Sequence, residues 1–592
     1  MTTRTIRNGA TITVPVETGE TLKIVAVTGT YTATIVRGTG IGTALATAAT
    51  GGSYGPYAYA VVVSIAASAA SEIDFDVATV PSVVSDSPVA FSVDVLGKVA
   101  ALQGADGREV SIFPAAGLLR VAIMADSMGA SAAGNSTITS LTRSNNVVTG
   151  VLTTHGRGTG EICSIYNCLD TSFNANDVAV TRVDANTFTY PSIGADGSTA
   201  DLVAVTKPMQ LQSHSTCNDN SFMFWLQSKT GAALKLVRNA GRSGHNSADM
   251  LARYDADIVN GPAHDAVFYL TGYNDWVTAG YTADQVYANV VDQQAKSPGK
   301  LFVIISSIPW TTGGTAANRK EALKYNRKIR AFCASRPNVR FADAAKYLID
   351  ATNATAFSPL TGMLQSDGIH PSPKGAERIA QAIYDAIQYD CPRVSRLVSC
   401  SLDTYANDST CANILDAGPW TTSGGALAGG ATGTVAASMA VTLSGSGTAV
   451  ASVVARANGI GYDQQVVFTP AANNDSVTFS GTGYITGRTS DGQKLNYLGE
   501  LILAGMSGAN IKSVEIYVTH NGANSTHYLA KAQAANAAAY PSSDMTIDFA
   551  SLIDSIICTG HTGIGWNVVV KAGAAGTALT IKLGQQSIEK VA

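Results

Sequence analysis

The sequence predicts an α/β domain on a parallel sheet, set between all-β regions, and three observations carry that prediction. From about residue 116 to 390, apolar runs alternate with stretches of helical period, the pattern of strands joined by crossover helices. Before residue 80 and after about 393, apolar and polar residues alternate in short runs punctuated by glycine, asparagine and serine. Finally, one apolar run, Leu118 to Met124, stops abruptly at Asp126-Ser127 and is followed by small residues. A polar pair at the carboxyl end of a core strand lies where open α/β sheets bind their ligands.

At 592 residues the chain is too long for one core, and about 150 residues per domain suggests three or four. Only 14% of residues are charged while 57 are glycine, a balance that favours β-rich extracellular or virion-type modules over a cytosolic enzyme. The net charge of −4 provides no electrostatic footprint for nucleic acid or an anionic membrane. No apolar run approaches the roughly 20 residues that span a bilayer, and Met1 to Gly9 has no apolar signal-peptide region. The expectation is a soluble protein that does not leave a cell by the usual signal. Eight cysteines without a CxxC pair are not a disulfide framework; Cys163 with Cys168, or two of Cys391, Cys400 and Cys411, could pair, and buried free thiols are an equal reading.

Taken in order, residues 1–80 read as a small antiparallel β domain with no acid, base or ligand cluster, suited to attachment or packing. Residues 81–115, rich in Ser and Val with Pro81 and Pro88, read as a connector. Within 116–392 the strand candidates are 118–124, 234–238, 266–270, 301–306 and 339–342, and the helix candidates 221–229, 247–259, 283–296, 317–335 and 373–388. Residues 138–208 break this rhythm with β-like runs at 146–152, 177–183 and 186–190, a β module inserted after the first strand. Its Asn145-Asn-Val-Val, Thr154-His155-Gly156 and Val183-to-Tyr190 segments resemble a β unit common in phage tail proteins, which implies a structural role for His155. Residues 393–592 read as a β-sandwich or jelly roll.

Serine nucleophilic catalysis needs a base, a group that orients the base, and oxyanion donors. Ser127 is a candidate nucleophile, and the alternative is an ordinary helix cap at a strand end. Asp367 and His370 lie three residues apart in one loop, held by a helix whose N-cap is Ser372 and whose first residue is Pro373. Asp367 can there fix the imidazole tautomer, although DxxH alone is a weak signal. A glycine in Asn239–Asp249 can offer its N–H at close range, and the Asn274 amide can donate after the strand ending at Leu270. His245 and Asp249 flank that glycine loop; they could line the cleft, and solvent-facing polar positions at a helix start are the preferred reading. His214, His264, His520, His527 and His561 lack partners at metal-ligand spacing, and no Walker or dinucleotide glycine pattern occurs, so no metal or cofactor is expected.

The order Asp126-Ser127, NxGxSG at 239–244, GxND at 272–275 and DxxH at 367–370 resembles the SGNH (GDSL-like) hydrolase family over residues 116–390, less the insertion. The resemblance implies a three-layer α/β/α fold with Ser127 as nucleophile, His370 as general base and Asp367 as its orienting carboxylate. It also implies an oxyanion hole of the Ser127 and Gly244 N–H groups and the Asn274 side chain, and it makes Asp126 a scaffold residue. The stretch from Asn318 through Tyr325-Asn326 to Asp343 resembles the family's lead-in to its last block. Two departures stand out: Ala125 replaces the family's first glycine, and the insertion widens the gap between Ser127 and Gly244.

Many members of that family deacetylate carbohydrates, and the cleft loops here are rich in Gly, Ser, Asn and Thr, with no apolar lid of the lipase kind. The expected function is therefore a serine esterase that removes acetyl groups from a bacterial surface polysaccharide, carried on a phage tail spike or fibre. Its partners would be the O-acetylated glycan and a tail or baseplate protein, its location virion or extracellular, and its assembly, by family expectation, a homotrimer without membrane insertion. The alternatives are a glycan-binding adhesin with a vestigial catalytic fold and a secreted lipase or carboxylesterase.

Overall fold

A computed structural model describes residues 118–591 apart from 132–133, 201–206, 354, 356, 393–395, 401, 417–420 and 533–538, and within 1–117 the backbone of the strands alone. The chain divides into two compact units, Met1–Phe113 and Pro114–Ala592. The first holds two four-stranded antiparallel sheets drawn from residues 4–79. It also holds a three-stranded sheet of Ala90–Val93, Val99–Gln103 and Glu109–Val110. The connector read at 81–115 therefore contains strands of its own; runs of only two to five residues between Pro- and Gly-bearing segments are too short to announce themselves by period.

The second unit is built on five parallel strands: β1 (Leu119–Ala125), β2 (Leu234–Gly241), β3 (Ala266–Leu270), β4 (Leu301–Ile305) and β5 (Val339–Ala342). Their spatial order is β2-β1-β3-β4-β5, so the order reverses beside β1 and opens a crevice at the carboxyl ends of β1 and its neighbours. The helices are α1 (Ser127–Ala130), α2 (Phe222–Lys229), α3 (Ser247–Tyr254), α4 (Ala283–Ala295), α5 (Ala316–Ala334), α6 (Ala344–Leu348) and α7 (Pro373–Ile387).

Strand alternation explains the three layers. Val121, Ile123, Phe268 and Leu270 point to one face and pack with Phe222, Trp225 and Leu226 of α2 and Ile379 and Ile383 of α7. Ala122, Met124, Val267 and Tyr269 point to the other and pack with Met250 of α3, Val286 of α4 and Tyr325 and Ile329 of α5. Both faces are covered, which is why these strands read as unbroken apolar runs.

The inserted module enters and leaves through paired strands, Gly134–Thr137 and Gln210–Ser213, in which Gly134 lies opposite Ser213. It forms a four-stranded and a five-stranded antiparallel sheet around its own core of Leu141, Val148, Ile165, Phe188 and Leu211. His155 is locked inside it, its Nε2 donating to the carbonyls of Asp184 (2.9 Å) and Thr187 (3.2 Å) and its Nδ1 accepting from Arg157 N.

Residues 426–591 form two mainly antiparallel sheets of six and seven strands. Their inner residues, such as Val441, Phe468 and Leu501, are continuous with the core beneath α2 and α7, so this region shares a core with the parallel-sheet domain. Trp225 meets Tyr540 edge to face at 5.5 Å, and Leu236 N of the edge strand β2 donates to Leu552 O at 2.9 Å. All eight cysteines are free, and no helix among the described residues is long and apolar enough to cross a membrane.

Candidate active site

Ser127 opens α1 at the end of β1. Asp126 is the N-cap: its Oδ1 accepts Met128 N at 2.9 Å, which settles the cap reading for Asp126 and leaves Ser127 half-buried with its Oγ in the crevice. The turn is tight because β2 crowds it. A Cβ on Gly241 would come within 2.3 Å of Ala130 N, so only glycine fits there.

His370 and Asp367 meet Ser127 in the arrangement that the family resemblance implies. Ser127 Oγ lies 2.8 Å from His370 Nε2, and His370 Nδ1 lies 2.6 Å from Asp367 Oδ2. With Nδ1–H donating to the carboxylate, Nε2 is the acceptor for the serine hydroxyl. Asp367 Oδ1 accepts the backbone N–H groups of Ile369 (2.8 Å) and His370 (3.0 Å), so the carboxylate is anchored on both oxygens. The loop is fixed in turn by Gln365 N to His370 O and by Thr311 N to Gly368 O, each 2.8 Å. Burial alone would raise the Asp367 carboxyl, but the His370 ring and the two N–H groups outweigh it and hold it at about 2. For His370, burial favours the neutral ring, and the hydrogen bond and charge of Asp367 more than offset that, so its pKa lies above the ordinary value.

The remaining predicted donors flank Ser127 on the neighbouring strands. Gly244 sits in the turn after β2 at φ +79°, a left-handed conformation natural to glycine, and Arg242 N bonds to Ala125 O at 3.1 Å. Asn274 follows β3; its amide donates to His245 O at 3.0 Å, tying the β3 loop to the β2 loop. The adjacent Asp275 is buried and accepts Ser247 N (2.9 Å) and Oγ (2.6 Å) and Thr271 Oγ1. It fixes the start of α3 against the same loop. In the predicted lead-in, Asn326 clasps Ser307 through both its amide atoms, and Asp343 caps α6.

Three features escaped the sequence reading. His245 is buried rather than solvent-facing, and Asp249 is taken up in a capping box and an ion pair with Lys207 at 2.6 Å. His245 is held neutral: burial, with Arg253, Arg242 and Lys207 around it, pushes it down to about 2, and its Nδ1 accepts from Arg253 Nε. Its Nε2–H donates to Asn167 Oδ1 of the inserted module at 2.8 Å, while Asn167 Nδ2 donates to Ser243 O at 3.3 Å. Asn167 thus grips the turn on both sides of Gly244. Lastly, His520, His527 and Cys558 place their ligating atoms within 4.8 Å of one another. Their linear spacing hid this because hairpin pairing sets His520 and His527 diagonally on one face. Among the described residues this is a group whose spacing could hold a cation; His520 and His527 stand on paired strands, Cys558 follows a short one, and Cys558 N already donates to His520 Nδ1 at 3.3 Å.

The hydrogen-bonded line Ser127–His370–Asp367 at the carboxyl edge of a doubly wound parallel sheet has the geometry of an α/β serine hydrolase site. Residues 198–378 match the GDSL-like Lipase/Acylhydrolase family model. The matched stretch holds Gly244, Asn274, Asp367 and His370, while Ser127 lies before it, beyond most of the inserted module. Solved structures with similarity include a lipolytic protein of the G-D-S-L family from Desulfitobacterium hafniense DCB-2 (18% identity, 28% of this chain and 88% of that one, TM-score 0.24). Another is a carbohydrate esterase family 3 protein from Talaromyces cellulolyticus (18%, 27% and 86%, TM-score 0.23). A third is the enzymatically active domain of bacteriophage CBA120 tailspike protein 4 (9%, 26% and 19%, TM-score 0.19). No curated protein matches the chain.

Proposed function

We propose that this domain is a serine esterase acting through an acyl-enzyme, and the hydrogen-bonded line from Ser127 through His370 to Asp367 is the observation that carries the reading. Ser127 Oγ attacks the ester carbonyl as His370 Nε2 takes its proton, and Asp367 stabilises the imidazolium without being protonated itself. The carbonyl oxygen becomes an oxyanion that receives the N–H groups of Ser127 and Gly244 and the side-chain amide of Asn274. Collapse expels the alcohol, protonated by His370. Water, activated by the same histidine, then cleaves the acyl-serine to release the acid.

For the substrate we infer an acetylated bacterial surface polysaccharide, approached by a phage tail spike or fibre. The polar cleft loops, the low charge and the β modules on either side of the hydrolase domain support that reading. It is tested by incubating the full chain with purified surface polysaccharides from candidate hosts and following acetate by NMR. Acetate release that disappears in Ser127→Ala supports it; unchanged release in that variant overturns the assignment of Ser127. Tight glycan binding without turnover of any acetyl ester would instead indicate an adhesin.

A further inference from the structure

The inserted module does more than lie beside the site. Between it and the Arg242–His245 turn runs a cleft of about 340 Å³, within the range of small-molecule sites. Its hydrolase wall includes His245, whose carbonyl holds the Asn274 amide and whose sequence neighbour is Gly244. Resting on the esterase reading above, we propose that this cleft is the subsite for the sugar that bears the acyl group.

Its chemistry matches a glycosyl unit. Asn167, Thr171 and Asn174 bring amides and a hydroxyl to the lining, and Lys207 and Arg242 bring cationic donors, a set that suits hydroxyl and ring oxygens. Met209 and Leu169, the latter 74% exposed, supply apolar surface for the C–H face of a pyranose. The accessible lining is mostly apolar carbon with the amides and cations set into it, a mixture that suits the C–H faces and hydroxyls of a pyranose together.

The lining is also held in place before any ligand arrives. Asn167 adopts φ +62° and is pinned by its two bonds to the Gly244 turn, and Asn174 Oδ1 accepts Cys168 N at 3.1 Å. Lys207 is fixed on Asp249, and Arg242 on both oxygens of Asp257 at 2.8 and 2.9 Å. Preorganisation of this kind lowers the ordering cost of binding.

The test uses the full chain and three esters: peracetylated methyl glucoside, p-nitrophenyl acetate and p-nitrophenyl octanoate. Ala200 and Thr171 line the cleft and are exposed, so Ala200→Trp narrows it without entering a core, and Thr171→Trp is a second variant. Near-UV circular dichroism establishes that both are folded. The ratio of kcat/KM for the glucoside acetate over the aryl acetate should fall about tenfold in each. An unchanged ratio overturns the subsite, as does a wild-type protein that hydrolyses the aryl acetate and leaves the glucoside acetate intact. A selective loss on the octanoate overturns it in favour of an acyl pocket. Failure of the esterase reading looks different: Ser127→Ala would then match the wild type on all three esters.

Discussion

His370 must be neutral to take a proton from Ser127, and its neighbours decide where that holds. Its pKa lies above the ordinary value of about 6.5, so kcat/KM should fall as the pH drops through a midpoint above that value. Asp367→Asn should lower kcat sharply and move the limb acidward; a profile flat down to about pH 5 would contradict the assignment of His370. Asp126 tells a second story. It is fully buried, its Oδ2 has no hydrogen-bond partner among the described residues, and burial, only partly offset by Met128 N–H, raises it to about 7. A carboxyl raised on folding contributes stability below its unfolded pKa and loses it as the pH rises through the folded value. Asp126→Asn keeps the cap and removes that loss, so its Tm advantage over the wild type should grow between about pH 5 and about pH 8 in calorimetry. An advantage constant with pH would show that the buried charge is compensated. That Ser127, Asp367 and His370 come together was legible through the family resemblance, whose motifs could be placed because they fall at the ends of strongly periodic strands and helices. The burial of His245 was not, since nothing local distinguishes a helix start facing solvent from one covered by residues 78 positions away.

At the scale of elements, the turn after β2 depends on the inserted module. Asn167→Ala removes both bonds to that turn, and the expected result is a kcat lower by about tenfold with KM for p-nitrophenyl acetate little changed. Asn167→Asp, which keeps the acceptor for His245, should recover part of the loss; a fall in thermal stability with kcat intact would make Asn167 merely structural. Helix α2 is the other pivotal element. Trp225 is buried, donates to Asp219 O at 2.7 Å and packs on Tyr540, so Trp225→Ala should cost about 3–5 kcal/mol in denaturant unfolding. The strands and helices of the parallel sheet could be read within a few residues because burial on both faces leaves long apolar runs. Asn167 could not be found in this way, since its partners Ser243 and His245 come from another part of the chain.

For the whole molecule, the sequence suggests a boundary near residue 393, yet the sandwich and hydrolase domain fold on one core. The reason is physical: a helix face buried against a second domain looks no different, in sequence, from one buried against its own sheet. Truncation after residue 392 should therefore leave a protein that binds hydrophobic dye and melts without a cooperative transition, whereas removal of residues 1–113, a compact unit by themselves, should leave the cooperative melt of the remainder intact. The inserted module is bonded to its host as well, through Asn167 to the Gly244 turn and Glu161 to Ser525, but its two ends lie together. It joins its host at Gly134 and Ser213, neighbours in one ladder, so excision or replacement leaves two chain ends already side by side. Any cassette set between these two ends must bring its own partners for Ser243 and His245 if the turn carrying Gly244 is to keep its place beside Ser127.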